Sequence, residues 1–248
     1  MSDQNEFRFT NSVLVAPLTA MLLIWFVYWM ELRFQTNLNH FGLYPRKISG
    51  LQGILLSPFI HGSLEHLYNN TIPLGVLLAS LFYFYRNVAI KVLLLGILFS
   101  GLITWGIARP SYHIGASGVI YLLASFIFFK GIFTKYYRLV ALSLMVVFIY
   151  GSLLWYIFPM KDGVSWEGHL GGFLTGFAFA YFVKAKIPVT KKFAWEQEGY
   201  NEEEDEFLKH FDEDGNFIES LDEELDQESE SLKIKYVFKK EQEGDTTN

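Results

Sequence analysis

The chain has 248 residues, of which 51% are hydrophobic and 19% charged, and its formal net charge is −6 at pH 7. The absence of cysteine excludes disulfides, thiolate metal sites and a cysteine nucleophile. The negative charge argues against nucleic acid as a partner, because phosphate would be repelled.

The acidic residues are concentrated near the C-terminus. Residues 193–248 hold 20 of the 26 acidic side chains but only five of the 20 Lys and Arg residues. The remainder of the chain is apolar and weakly basic. We therefore expect a cytoplasmic N-terminus at 1–11, a membrane domain at 12–185, and a largely disordered acidic cytoplasmic tail at 186–248.

Six apolar segments are candidates for helices that cross the lipid bilayer, which takes roughly 20 mainly apolar residues each. The first is longer than the ~7–15-residue core of a signal peptide, so we expect it to be retained. The fourth and sixth are short, and we expect the loops before them to dip into the membrane around a wet cavity. The segments are 12–30, 63–85, 88–108, 117–133, 138–158 and 168–183.

Lys and Arg residues in the loops predict the orientation in the membrane. Ten fall on the side of the N-terminus and five on the other side, which favours cytoplasmic termini and suits a bacterial plasma membrane. His66 and Asn70 near the start of the second segment, Ser117 in the fourth and His169 in the sixth then share the outer side. The sequence thus predicts a polar cluster at one depth, opposite the tail.

Ser117 lies among small residues, between Gly115, Ala116 and Gly118. Small neighbours let a peptide carbonyl approach the hydroxyl, and a helix N-terminus offers unpaired N–H groups that stabilise an oxyanion. By itself, this short motif more often reflects close packing of membrane helices. A nucleophile within a membrane segment is nevertheless a functional candidate.

His169 is the candidate general base, since a neutral imidazole can accept the serine proton and return it to a leaving amine. Its helix carries Gly168, Gly172 and Gly176 at a four-residue spacing. Such a stripe permits close approach of another helix, which we expect to be the fourth segment. The alternative is a buried histidine bonded to a carbonyl, and Ser117 at the same depth weighs against it.

His66 and Asn70 are four residues apart and share one face of a helix. Both side chains can donate hydrogen bonds, as an oxyanion hole requires. Alone they would more often be polar contacts between helices, but beside Ser117 and His169 the donor role is favoured. A metal site is the rival use of the histidines, yet the His-Glu-x-x-His spacing of zinc proteases is absent. We predict no metal and no cofactor.

Taken together, these segments resemble the rhomboid family of intramembrane serine proteases. The matching pieces occur in family order, and the resemblance covers about residues 10 to 185. Each piece is weak alone, whereas the ordered trio is specific. The pieces are His-Gly-Ser-Leu-Glu-His-Leu-Tyr-Asn-Asn at 61–70, Gly-Ala-Ser-Gly at 115–118, and Gly-His-Leu-Gly-Gly at 168–172 with Gly176.

The resemblance implies an all-α polytopic membrane protein with a six-helix rhomboid core. It implies a Ser117–His169 dyad without an acidic third member, and an oxyanion hole from His66, Asn70 and the Ser117 backbone N–H. Substrates would be single-pass membrane proteins, cut in or near their spans where helices are unstable and residues small.

Further positions match the family. Tyr121 corresponds to the aromatic residue that stacks on the catalytic histidine, Gly115 and Gly118 support the dyad, and His61 matches a structural position in the first loop. One departure is that many relatives carry a Trp-Arg pair in that loop, where this chain has Leu-Gln-Gly-Ile-Leu at 51–55. The departure questions how the loop packs.

Two other classes of function are alternatives for this sequence. Inactive relatives that bind membrane helices have generally lost the serine or the histidine, and both are present here. A transporter or channel should show inverted repeats or helices broken at matched positions, and the sequence offers no convincing example. The tail is most simply a solubilising spacer, although residues 232–238 alternate and could form a strand on an unknown cytoplasmic partner.

Overall fold

The computed structural model describes residues 9–149, 155–159, 163–185, 193–205, 207–212 and 214–217. The alternating stretch 232–238, most of the N-terminal segment 1–11 and part of the predicted fifth span lie outside these residues. Within them the regular structure is helical, and extended pairing is limited to two isolated bridges, Leu43 with His113 and Phe211 with Phe217. The predicted all-α class is confirmed.

Seven α-helices are present in the described residues, and six of them overlap the six predicted segments. The seventh, α2, is a single turn in the loop after α1. α7 begins two residues earlier than predicted. Glu167 lies in its first turn, where a negatively charged side chain interacts favourably with the positive end of the helix dipole. The helices are α1 (Asn11–Phe34), α2 (Gly53–Leu56), α3 (Leu64–Phe84), α4 (Ala89–Ile107), α5 (Ser117–Phe133), α6 (Tyr137–Ile149) and α7 (Trp166–Phe182).

Helix length separates the bundle into two groups. By length and composition, α1, α3 and α4 can each cross a membrane. α5 and α7 have 17 residues each, and α6 has 13 in the described part of the chain. α5 and α7 therefore lie at the short end of the roughly 17–25 residues that cross a bilayer.

α5 is the central helix of the bundle. It packs against α3, α4, α6 and α7, and its contact with α7 is the most extensive. Most of its apolar side chains before its last turn are buried, including Ile120, Leu123, Phe126 and Ile127. By contrast, most apolar side chains of α1 face outward, which is favourable in hydrocarbon and unfavourable in water. The nucleophile candidate thus begins the most enclosed helix.

The loop between α1 and α3 is anchored to the end of α4 although it lacks the Trp-Arg pair. The Arg46 guanidinium donates to the carbonyls of Gly106 (3.2 Å) and Ala108 (2.7 Å). The indole N–H of Trp105 donates in turn to the carbonyl of Lys47 (3.0 Å). An arginine of the loop and a tryptophan of α4 therefore hold this loop in place.

The chain divides into two compact units, Met1–Val189 and Thr190–Asn248. The described residues of the second unit form short 3₁₀ turns, among them Glu202–Glu204 and Leu208–His210. The Asp212 carboxylate accepts backbone N–H bonds from Asp214 (3.0 Å) and Asn216 (2.7 Å). This acidic group thus closes a local turn.

Candidate active site

Ser117 is the first residue of α5 and follows a tightly constrained loop. Gly115 has a φ of +104°, a left-handed conformation that favours glycine, and its N–H donates to the Ser57 carbonyl (2.8 Å). A β-carbon at Gly115 would lie 2.6 Å from ring atoms of His66. The backbone conformation therefore favours glycine at this position, and a β-carbon would also displace the His66 ring.

α5 and α7 touch along their backbones, at a contact that we call the α5–α7 seam. A β-carbon on Gly172 would overlap the Gly118 carbonyl oxygen, and one on Gly176 would overlap the Leu122 carbonyl oxygen. A β-carbon on Gly118 would lie 3.3 Å from the carbonyl oxygen of Gly168. The seam consists of Gly118, Leu122, Gly168, Gly172 and Gly176.

At the end of the seam where α5 and α7 begin, Ser117 and His169 meet. The distance between Ser117 Oγ and His169 Nε2 is 2.8 Å, and His169 Nδ1 lies 2.8 Å from the carbonyl oxygen of Tyr156. A carbonyl can only accept, so Nδ1 carries the proton and donates it. In the neutral ring, Nε2 then accepts a hydrogen bond from the serine hydroxyl.

Tyr121 lies one turn after Ser117 and packs flat on the imidazole. The ring centroids of Tyr121 and His169 are 4.3 Å apart, with an angle of 19° between the ring planes. Both side chains are buried. Stacking on one face and the Tyr156 carbonyl at one edge together fix the plane of the His169 ring.

His66 and Asn70 lie on α3 beside the loop that leads to Ser117. The His66 ring contacts Gly115 and packs edge-on against His61, with 5.0 Å between centroids. The buried Asn70 amide donates to the His66 carbonyl of its own helix (2.8 Å). One of the two amide hydrogens of Asn70 is thus already bonded within α3.

A comparison with known protein families identifies the family of this chain. A family model described as the rhomboid domain matches residues 49–186, which is more than half of the chain and includes every site residue named above. The chain belongs to the rhomboid family. The resemblance predicted from the sequence motifs is confirmed.

Proteins from mycobacteria are similar to this chain over about two thirds of its length. An uncharacterized protein of Mycobacterium tuberculosis is 36% identical over 182 residues, which cover 68% of this chain and 74% of the relative. An uncharacterized protein of Mycobacterium leprae is 34% identical over 182 residues, covering 69% and 71%. The rhomboid family comprises intramembrane proteases that act on membrane proteins, and the apolar helices make this member an integral membrane protein.

Two supporting contacts of this rhomboid site were not predicted. The Tyr156 carbonyl that orients His169 is a backbone group, so no side-chain motif could reveal it. His61 donates from Nδ1 to the Phe59 carbonyl (3.3 Å), which leaves Nε2 to accept the Ala116 N–H (3.4 Å). Burial lowers the pKa of His61 to about 4, so this ring is neutral and can act as that acceptor.

A small cavity adjoins Ser117. Its volume is about 50 Å³, and its polar lining includes Ser57, Thr104, His113 and Ser165. A site needs only about 10–15 Å³ of such volume and two to four polar partners to hold a water molecule. Among the described residues, no group of three His or acidic side chains is placed to hold a metal ion.

Proposed function

We propose that this rhomboid chain is an intramembrane serine endopeptidase that hydrolyses peptide bonds in or near the transmembrane segments of membrane proteins. The observation that supports this best is the 2.8 Å contact between Ser117 Oγ and His169 Nε2. Because Nδ1 is committed to a carbonyl, Nε2 presents its lone pair to the hydroxyl. A general base needs this protonation state and a donor–acceptor distance of about 2.6–3.2 Å.

In the first half of the reaction, Ser117 Oγ attacks the scissile carbonyl carbon while His169 Nε2 takes the hydroxyl proton. The resulting imidazolium donates that proton to the leaving amine as the C–N bond breaks, which leaves an acyl-enzyme. In the second half, His169 takes a proton from water, the hydroxide attacks the ester, and Ser117 recovers its proton.

The oxyanion of each tetrahedral intermediate would be stabilised by the Ser117 backbone N–H, His66 and Asn70. The first turn of α5 supplies N–H groups without helical partners and a positive dipole end. The second amide hydrogen of Asn70 and the half-buried His66 ring supply the remaining donors. The stacked Tyr121 holds the imidazole, and the cavity beside Ser117 is a reservoir for the water that the second half consumes.

A reconstituted cleavage assay tests this function. The purified chain in liposomes, mixed with a single-pass membrane protein, should produce a cleaved fragment, and Ser117→Ala should lower the rate by about 10⁴-fold or more. A fluorophosphonate probe should label the unsubstituted chain but not Ser117→Ala. Ser111→Ala, an exposed serine in the same loop, is the matched control and should cleave normally. Undiminished cleavage by Ser117→Ala would refute the assignment.

We also propose the arrangement in the membrane that places this chemistry on the outer side: residues 12–185 form the protease domain, and the N-terminus and the acidic tail at 186–248 are cytoplasmic. The cysteine-free sequence suits single-cysteine labelling. A membrane-impermeant maleimide should label Ser111→Cys in intact bacterial cells, whereas Arg86→Cys between α3 and α4 should react only after permeabilisation. The reversed pattern would overturn this orientation.

A further inference from the structure

A buried carboxylate lies beside the dyad and takes no part in the mechanism above. Glu167 is the second residue of α7 and its side chain is 2% exposed. Its Oε1 accepts the backbone N–H of Arg109 (3.1 Å) and lies 3.5 Å from the Arg109 guanidinium Nη1. The contact therefore joins the start of the histidine helix to the loop that leads to the nucleophile.

A second contact links the same two segments. The carbonyl of Arg109 accepts from His113 Nε2 (3.1 Å), so Nδ1 of the neutral ring accepts from the Ser165 hydroxyl (2.5 Å). Burial lowers the pKa of His113, which favours this neutral form. The Arg109 guanidinium also donates to the Val164 carbonyl (2.6 Å).

The residues that make these contacts are close in sequence to Ser117 and His169. The carbonyl of Ser165 accepts the backbone N–H of His169 (3.2 Å), so a displacement of Ser165 displaces the base. On the other side, His113 precedes Ser117 by four residues, and its backbone is bridged to Leu43. The seam glycines fix the helices farther along α7, whereas these contacts close the outer end where the proton is transferred.

We propose that Arg109, His113, Ser165 and Glu167 form a clamp that sets the distance between Ser117 Oγ and His169 Nε2, with Glu167 as its central positioning residue. This inference rests on the proposed protease function. The anionic Glu167 draws Arg109 against the first turn of α7, and the His113–Ser165 bond prevents the two segments from twisting apart. Oε2 of Glu167 is buried without a partner among the described residues, so the hydrogen bond of this carboxylate to the Arg109 backbone is made through Oε1.

Kinetics in liposomes test the clamp. Glu167→Ala should lower kcat by about 10- to 100-fold with KM changed less than twofold, because misplacement of reacting groups by about 1 Å reduces the rate that much. Glu167→Gln keeps the shape and one acceptor and should lose about 3- to 10-fold. Arg109→Ala combined with Glu167→Ala should lose less than the product of the two single losses, because either substitution removes the contact between the guanidinium and the carboxylate. Glu65→Gln, an exposed carboxylate at the start of α3, is the control and should retain full kcat.

Several results would overturn the clamp. One is that Glu167→Ala and Glu167→Gln, measured well below their melting temperatures, have the same kcat as the unsubstituted chain. A second is a change in KM alone. A third is that the losses of the two single variants multiply in the double variant. Amide hydrogen exchange gives a readout that does not need activity: exchange at 109–117 should accelerate in Glu167→Ala but not in Glu65→Gln. If the unsubstituted chain and Ser117→Ala are equally inactive, the proposed function fails and exchange alone decides whether the clamp exists.

Discussion

The α5–α7 seam and the start of α3 both supply polar groups to the candidate site, but they do so in different states. At the seam, Ser117 and His169 are already hydrogen bonded, with the imidazole held by Tyr121 and the Tyr156 carbonyl. On α3, by contrast, the Asn70 amide donates to its own helix and the His66 ring is only half-buried.

The difference follows from what each group would do in the proposed reaction. In that reaction, proton transfer from Ser117 to His169 starts from the ground state. The two side chains can therefore be hydrogen bonded before any substrate arrives. The oxyanion exists only after attack, and donors aimed at its position are effective because they bind the transition state more strongly than the substrate. A rigid seam beside partly committed donors is therefore the arrangement expected of a protease that awaits substrate.

Among substitutions that leave Ser117 and His169 in place, the largest effect is expected on the α3 side. Asn70→Ala should lower kcat by about 10²- to 10³-fold, which corresponds to roughly 2.7–4 kcal/mol for one oxyanion donor. Stability should fall by only about 0.5–1.5 kcal/mol, because the lost bond goes to a helix carbonyl. Steady-state cleavage in liposomes and thermal unfolding measure the two quantities.

Asn69→Ala provides the control for that experiment, since Asn69 is exposed on another face of α3 and should leave kcat unchanged. A loss below about tenfold in Asn70→Ala would contradict the donor role. It would mean that the amide stays bonded to the His66 carbonyl during catalysis, and that His66 and the Ser117 N–H hold the oxyanion.

A smaller kinetic effect, with a larger effect on stability, is expected at the seam. Gly172→Ala places a β-carbon into the Gly118 carbonyl, so α5 and α7 must separate. We expect kcat to fall by up to about 10²-fold through lengthening of the dyad, and the free energy of unfolding to fall by about 1–3 kcal/mol.

Gly106→Ala on α4 is the matched substitution, because a β-carbon there has nothing within 4 Å. It should preserve activity and, if anything, stabilise the helix by about 0.5–1 kcal/mol. Equal behaviour of the two glycine variants would show that close approach of α5 and α7 does not maintain the dyad.

Much of the fold was predictable because hydrocarbon imposes simple requirements. A bilayer demands long apolar segments with internally bonded backbones, so the six predicted segments each overlap a helix, and the predicted start and end of α5 agree with the structure. The predicted start of α7 was two residues too late, because Trp166 and Glu167 did not extend the apolar segment. In the site, the order of the serine, histidine and glycine motifs was sufficient to predict the family.

The sequence by itself determined the composition of the bundle and which residue types could perform chemistry, because hydropathy and motif spacing are local properties. Only the tertiary structure decided which nitrogen of His169 faces Ser117, since that depends on a backbone carbonyl 13 residues away in the chain. It also decided that the exposed Arg109 and the buried Glu167, 58 residues apart, lie in contact. Such pairings arise from the packing of α4, α5 and α7 against each other, and packing is a property of the assembled helices rather than of any one segment.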